Sequence, residues 1–413
     1  MLNILSVEWM AMGATRLAVA AKERGAVLHV FAKNPGRFSH DIQLSGPCDA
    51  LILHQVDTGD PEAVKKAVDG IGEIHGLVTV TEHCGWPTYE YLSSLGLPGQ
   101  NVDSMRLLRD KTALRKHLHR TGHSSSAGIG VKVAEAGGST FAELGDRLGL
   151  PFLVKHSAGA GSKFVWLIRD RGDFDDFLRE AREGMPDGEV VAESYFIGTL
   201  YSAETITWEG ETKMLGIASR VLSPEPHFRE EAYGFPVLFP EERQAEIEAW
   251  IRDVLAATGY DNGLTHTEFI ITKDGFEIVE INARIAGTGF GDMLDEVYGL
   301  NIYEDIIDMA LGVRPKVMDT ELVPRKGTAI IFLYPLTTGV YQGTDGAETL
   351  ERHPGDPVLH QDRPVGSEIV SVYDQYGTTG WLLAGGETTE IALLNALSAA
   401  GKLHFRMGAN GSG

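Results

Sequence analysis

Two β-rich runs flanking Lys273-Asp274-Gly275 constrain this chain more than any other feature. The first is Thr265-His266-Thr267-Glu268-Phe269-Ile270-Ile271-Thr272, the second Phe276-Glu277-Ile278-Val279-Glu280-Ile281-Asn282. A three-residue loop with glycine in the left-handed position predicts a hairpin in which Thr272 pairs with Phe276. Carried down the ladder, that register sets Glu268 opposite Glu280, with Cβ atoms roughly 5 Å apart. His266 falls opposite Asn282 on the same face. Like charges facing one another destabilise a sheet unless something neutralises them. A divalent cation held by hard oxygen ligands does so, and carboxylates with an amide oxygen suit magnesium. The alternative is two solvated glutamates on an exposed face.

At 413 residues the chain exceeds what one core serves comfortably, so two or three subdomains are expected. An apolar content of 43% with 23% charged residues is ordinary for a globular protein in water. No apolar run approaches the length of a bilayer span and the N-terminus lacks a signal-peptide layout, so no membrane segment is expected. Cys48 and Cys84 make no metal spacing, which points to a reduced, cytoplasmic setting. A net charge of −22 argues against a general nucleic-acid surface. A nucleotide remains compatible with it, if the local site is basic and rich in backbone N–H groups.

The first hundred residues alternate strand and helix. Strands are expected at Asn3–Val7, Val27–Phe31, Ala50–Val56 and Gly76–Val80, with a helix from Thr15 to Arg24 closed by Gly25. That alternation implies a small open parallel sheet. One helix is expected from Asp103, as N-cap, to Arg120, ended by Gly122. Beyond it the pattern turns β-rich, with helices at 173–183, 240–257 and 302–311. An α+β portion from about Gly327 ends in a helix to Ala400 and looks packed onto the rest. The expected domains are residues 1–105, 106–200 and 201–413, with a disordered tail from Gly408 to Gly413.

Three further segments carry chemistry. Phe152 to Lys155, the loop to Ser162-Lys163, and Phe164-Val165 read as strand, small-residue loop, strand. Such a loop can wrap a phosphate with backbone N–H groups, Lys155 lying beside it. It lacks the Walker A order, and a plain hairpin loop with a solvated lysine is the alternative. Val190 to Gly198 is an extended run whose free backbone groups could pair with an adenine edge, or an ordinary buried strand. Arg284 follows the Glu280 and Asn282 pair; it either holds a phosphoryl group or substrate carboxylate, or neutralises the acidic hairpin.

Taken in this order, these pieces resemble the ATP-grasp superfamily over nearly the whole chain. The series runs from Gly96-Leu97-Pro98-Gly99 through Arg109-Asp110-Lys111, Lys155 and its loop, and Glu193 to Phe196. It ends with Glu268 and Glu280-Ile281-Asn282-Ala283-Arg284. The resemblance implies an α/β and α+β ATP-grasp fold with a Rossmann-like N-terminal pre-domain. It implies that Lys111, Lys155 and the loop residues Gly159, Gly161, Ser162 and Lys163 serve ATP phosphates. Hinge backbone near Glu193 and Phe196 would hold adenine, and Glu268, Glu280 and Asn282 would bind Mg2+, with Mn2+ as a substitute. Two departures stand out: Leu200 occupies a position where many members carry an acid for the ribose. Ser162-Lys163-Phe164-Val165 also replaces the usual Gly-Ser-Xaa-Gly-Val.

Thr328 to Pro335, Thr379 to Gly386 and His266-Thr267-Glu268 are similar to the L-amino-acid ligase group of carboxylate–amine ligases. The expectation is amide formation from amino acids through an acyl phosphate, with release of ADP and phosphate. Residues 158–164 would close over the intermediate as a lid. Arg284 would hold the transferred phosphate, while Arg220 and His227 are candidates to anchor substrate carboxylate or accept a proton. Small-molecule acid and amine substrates are the expected partners, and relatives are often homodimers. The rival readings are a purine-pathway or carboxylase-type member and a catalytically silent nucleotide-binding regulator.

Overall fold

The computed structural model describes residues 1–10, 12–79, 86–157 and 164–409. Among these residues the strands form four sheets. The first is parallel, ordered Leu51–Gln55, Ala26–Ala32, Leu2–Val7 and Gly76–Thr79. Its central strands are apolar on both sides, with Ile4, Leu5, Leu28 and Val30 fully buried, as a sheet covered on both faces requires. The helix Ala14–Glu23 follows the first strand. Its N-terminus, the usual phosphate seat of such a fold, is taken by a buried carboxylate. Asp41 accepts from Gly13 N and Thr15 N, each at 2.8 Å.

The single helix expected from Asp103 to Arg120 is two helices, Val102–Arg109 and Lys111–Arg120. Asp110 breaks them by adopting an extended conformation (φ −90°, ψ 99°), and its carboxylate caps the second through Thr112 N and Ala113 N at 2.9 and 3.0 Å. Asn101, not Asp103, caps the first, accepting from Asp103 N and Ser104 N. The break sets Lys111 at the start of a new helix, beside the hairpin.

A small antiparallel sheet orders Ile129–Lys132, Glu189–Ser194, Phe152–His156 and Val165–Ile168. With the helices Gly138–Leu148 and Arg171–Gly184 it encloses its own core, including Phe152, Phe174, Phe177 and Val190. The eight-stranded sheet runs Phe276–Asn282, Gly263–Thr272, Gly198–Trp208, Glu211–Leu222, Glu230–Phe235, Gly327–Leu333, Gly380–Gly386, Val358–Gln361. Every neighbouring pair in it is antiparallel. The C-terminal portion therefore continues this sheet, with Ala232 facing Ile331 across the junction. The helix Thr389–Ala400 lies on it so closely that a Cβ at Gly327 would sit 2.3 Å from Thr389 N, which explains glycine there. Gly408 ends a strand, His404–Gly408, rather than opening a disordered tail; residues 410–413 lie outside the described part.

The hairpin closes more tightly than a three-residue loop. Ile271, not Thr272, pairs with Phe276, and Thr272 N donates to Gly275 O at 2.9 Å. Between Glu268 and Phe269 the register shifts by one, with Val279 as the extra residue of a bulge. Beyond it Glu268 faces Glu280 and His266 faces Asn282, as the sequence predicts. Without the bulge Glu268 would face Val279.

A buried polar tie joins the small sheet, the Lys111–Arg120 helix and this hairpin. Arg115 Nε donates to Glu193 Oε2 at 2.7 Å, Nη1 to Ser124 Oγ at 3.2 Å, and Nη2 to the Ile278 carbonyl. Ser124 Oγ and Ser125 N in turn donate to Glu277 at 2.7 and 2.8 Å. Lys155 pairs with the other oxygen of Glu193. Burial opposes ionisation of Glu193, yet Arg115 and Lys155 together hold its carboxyl below the usual range. Removing one partner of a buried pair strands the other. Arg115→Ala is therefore expected to lower unfolding free energy by about 3–5 kcal/mol. Denaturant titration checks this; a loss under about 1 kcal/mol would mean that the tie is structurally idle.

Candidate active site

Alternation along three adjacent strands turns two rows of polar side chains to one face. In one row Glu204 faces His266, which faces Asn282; in the other Ser202 faces Glu268, which faces Glu280. A cavity of about 470 Å³ opens over this face, walled also by the small sheet. Lys111, Lys155, Glu193, Phe196, Arg220, Glu268, Glu280, Asn282 and Arg284 all line it. Residues from five separate stretches of sequence thus meet in one place.

The carboxylates are matched by cations. Arg220 Nη2 lies 3.1 Å from Glu268 Oε1 and 2.6 Å from Glu230 Oε1. His266 Nδ1 lies 2.6 Å from Glu204 Oε1, and its Nε2 3.4 Å from Glu268 Oε1. Lys111 Nζ lies 3.4 Å from Glu280 Oε2, and Asn282 Nδ2 donates to Glu280 Oε1 at 2.9 Å. Burial alone would raise the Glu268 carboxyl, but Arg220 and His266 bring it down to about 2. Burial likewise disfavours charged His266, yet Glu204 and Glu268 raise it to about 9. Glu230 goes the other way: burial pushes it up to about 7 against the pull of Arg220.

Glu268, Glu280 and Asn282 form an all-oxygen donor set, with Glu268 held ionised by its surroundings. That chemistry fits a hard divalent cation such as Mg2+. Among the described residues no three His, Cys, Asp or Glu side chains form a metal-holding group. The sheet ladder on Glu189–Ser194 stops at Ser194, and the next strand starts at Gly198. Tyr195 and Phe196 line the cavity in this gap, where their backbone is outside any ladder. Leu200 lines it too, as an apolar contact where an acid would hold ribose.

His227 does not belong with these residues. It sits in the turn between Ser223 and Arg229 and stacks on Tyr373, ring centroids 4.3 Å apart, instead of lining the cavity. Gly159, Gly161, Ser162 and Lys163, with most of the expected lid, lie outside the described residues. Glu230 and Gln375 also line the cavity, neither of them among the residues expected from the sequence. Gln375 comes from the C-terminal portion and donates to Glu230 Oε2 at 3.0 Å. The double acid Glu230-Glu231 at a strand start was the available hint for the former; no local pattern marks the latter.

The sequence matches the ATP-grasp domain family over residues 148–292 and the L-amino acid ligase C-terminal domain 2 family over residues 331–408. It is 26% identical to an uncharacterized protein, y4rH, of Sinorhizobium fredii, over 64% of this chain and 55% of that one. It is 24% identical to human carnosine synthase 1, over 72% of this chain and 38% of that one. The chain thus spans about half the length, or less, of these curated relatives. A crystal structure of an L-amino acid ligase from Bacillus licheniformis superposes with a TM-score of 0.82 at 20% identity, covering 99% of both chains. The chain has the ATP-grasp fold and carries an ATP-grasp domain followed by an L-amino acid ligase C-terminal domain.

Proposed function

We propose that the cavity binds ATP with an amino-acid carboxylate and joins the activated acid to an amine, forming an amide and releasing ADP and phosphate. The observation that carries this reading is the convergence of Lys111, Lys155, Arg220 and Arg284 on the facing Glu268 and Glu280 within one cavity. Isolated cations or isolated acids would suit many ligands. Both together suit a polyphosphate bound with a divalent cation.

Lys155, near the end of its strand, and Lys111, at the start of its helix, are placed to meet phosphate oxygens. The backbone from Tyr195 to Ile197 offers donors and acceptors to an adenine edge. Glu268, Glu280 and Asn282 would hold Mg2+, which when bound offsets charge on the phosphates. In the first step a substrate carboxylate oxygen attacks the terminal phosphorus, and the bond from that phosphorus to the ADP oxygen breaks. Arg284 would stabilise the transferred phosphoryl group. In the second step the amine nitrogen bonds to the acyl carbon and loses a proton. The acyl carbon–oxygen bond breaks, and its electron pair leaves with phosphate. Arg220 would anchor a substrate carboxylate.

The C-terminal domain match favours an amino-acid ligase over a purine-pathway or carboxylase-type enzyme. The intact set of cations and acids weighs against a silent regulator. A cytoplasmic location and a homodimer belong to this reading as expectations from the family resemblance.

Two measurements test it. Glu280→Gln keeps the side-chain shape but removes one charge of the facing pair, and turnover should fall by about two orders of magnitude with the melting temperature little changed. Near-normal turnover at saturating magnesium would sink the metal assignment. Incubation with MgATP and an amino-acid panel should give ADP and orthophosphate in step with amide. AMP and pyrophosphate as the stoichiometric products would overturn the acyl-phosphate route.

A further inference from the structure

Beside the two polar rows of the cavity wall the same strands lay down an apolar one. Residues directly opposite one another on antiparallel neighbours share a face, and each row lies two residues from the next. Glu204 pairs with His266 and Ser202 with Glu268; the next pair on that face is Leu200 with Ile270. Both line the cavity, with Leu222 of the neighbouring strand. Two residues beyond Leu200 is Gly198, which opens the strand directly after Tyr195 to Ile197, the backbone outside any ladder. Two residues span about 7 Å along a strand, so the apolar row fills the step between that backbone and the Glu268 carboxylate. The row offers no acceptor side chain to a ligand there. Glu277 stands opposite Ile270, but it is not among the described residues lining the cavity. Its oxygens accept from Ser124 Oγ at 2.7 Å and Ser125 N at 2.8 Å. Arg220 sends its Nη2 to Glu268, in the next row, and to Glu230.

We propose that Leu200 and Ile270 make this cavity indifferent to ribose hydroxyls, so that it takes 2′-deoxy and 3′-deoxy adenine nucleotides as readily as the parent ribonucleotides. The proposal rests on the nucleotide part of the reading above and deepens it by naming the sugar specificity of the site. That reading puts the base at Tyr195 to Ile197 and the phosphates at Lys111, Lys155 and the facing glutamates. The sugar joins the two, so it lies over the Leu200 and Ile270 side chains. A hydroxyl turned to that wall gives up water and meets branched alkyl groups, which return no hydrogen bond. A site built to hydrogen-bond a hydroxyl rejects the analogue that lacks it, whereas an apolar wall has no polar group to leave unpaired. Loss of the hydroxyl therefore costs nothing here, and it helps wherever the hydroxyl would be desolvated.

The test titrates the full chain calorimetrically with the magnesium complexes of ADP, 2′-deoxy-ADP and 3′-deoxy-ADP. Both deoxy nucleotides should bind within about threefold of ADP, or more tightly. Either of them binding more than about threefold more weakly would overturn the proposal, because a hydroxyl would then have a polar partner. Leu200→Glu puts a carboxylate acceptor on the row. It should bind ADP about tenfold more tightly than at least one of the deoxy nucleotides, the usual worth of a hydrogen bond to a charged group. Equal affinities for all three nucleotides in this variant would overturn the placement of the sugar on Leu200. Should Leu200→Glu fail to fold, Leu200→Gln makes the same comparison with a neutral acceptor and an expected preference of about threefold. The two readings fail differently. Tight ADP with weak deoxy nucleotides removes only this proposal, whereas binding of none of the three removes the nucleotide reading and the proposal with it.

Discussion

Glu204, Glu230 and Glu268 share a buried face with Arg220 and His266, and the cavity depends on how those charges balance. Each acid would be costly to bury alone, because an ionised carboxylate loses its hydration without compensation. Arg220 bridges Glu230 and Glu268, while His266 bridges Glu204 and Glu268. The two cations pull most strongly on Glu268, which belongs to both bridges and is brought down to about 2. Glu230 is pushed up to about 7, by burial first and by the nearby Glu268, against the pull of Arg220 and His266. The result is one firmly ionised carboxylate facing Glu280, with a second of raised pKa beside it. The first suits a metal ligand.

The same economy ties the cavity to its surroundings. Arg115 reaches from the Lys111–Arg120 helix to Glu193 at the end of a small-sheet strand and to the backbone of the hairpin at Ile278. Lys155 shares Glu193 with it, so one carboxylate orients a cation that faces the cavity and another that braces its wall. In the pre-domain, Asp41 fills the N-terminus of the first helix.

Much of this was legible in the sequence, though for reasons that differ from part to part. The pairing of Glu268 with Glu280 was read from a loop one residue too long, and the bulge at Val279 restores what that error would have cost. Bulges carry no firm local signal, so the correct register followed from two compensating features. The break at Asp110 was missed because an acid between Arg109 and Lys111 suits a helix surface as well as it suits a cap. Glu204 and Gln375 carry no local signal at all, and Glu230 only the double acid at its strand start. They join the site through pairings between strands or loops far apart in the chain, and no hairpin loop fixes those registers. His227 was drawn in by residue type alone; its ring is spent on Tyr373.

In the function proposed above, the bulged hairpin presents a metal–nucleotide site between Glu268 and Glu280. Crystals grown with a non-hydrolysable ATP analogue and Mn2+, measured for anomalous scattering, test it most directly. A manganese peak is expected within ligand distance of both carboxylates, with the nucleotide phosphates running toward Lys111 and Lys155. Manganese bound without either glutamate, or nucleotide seated in the N-terminal parallel sheet, would contradict it.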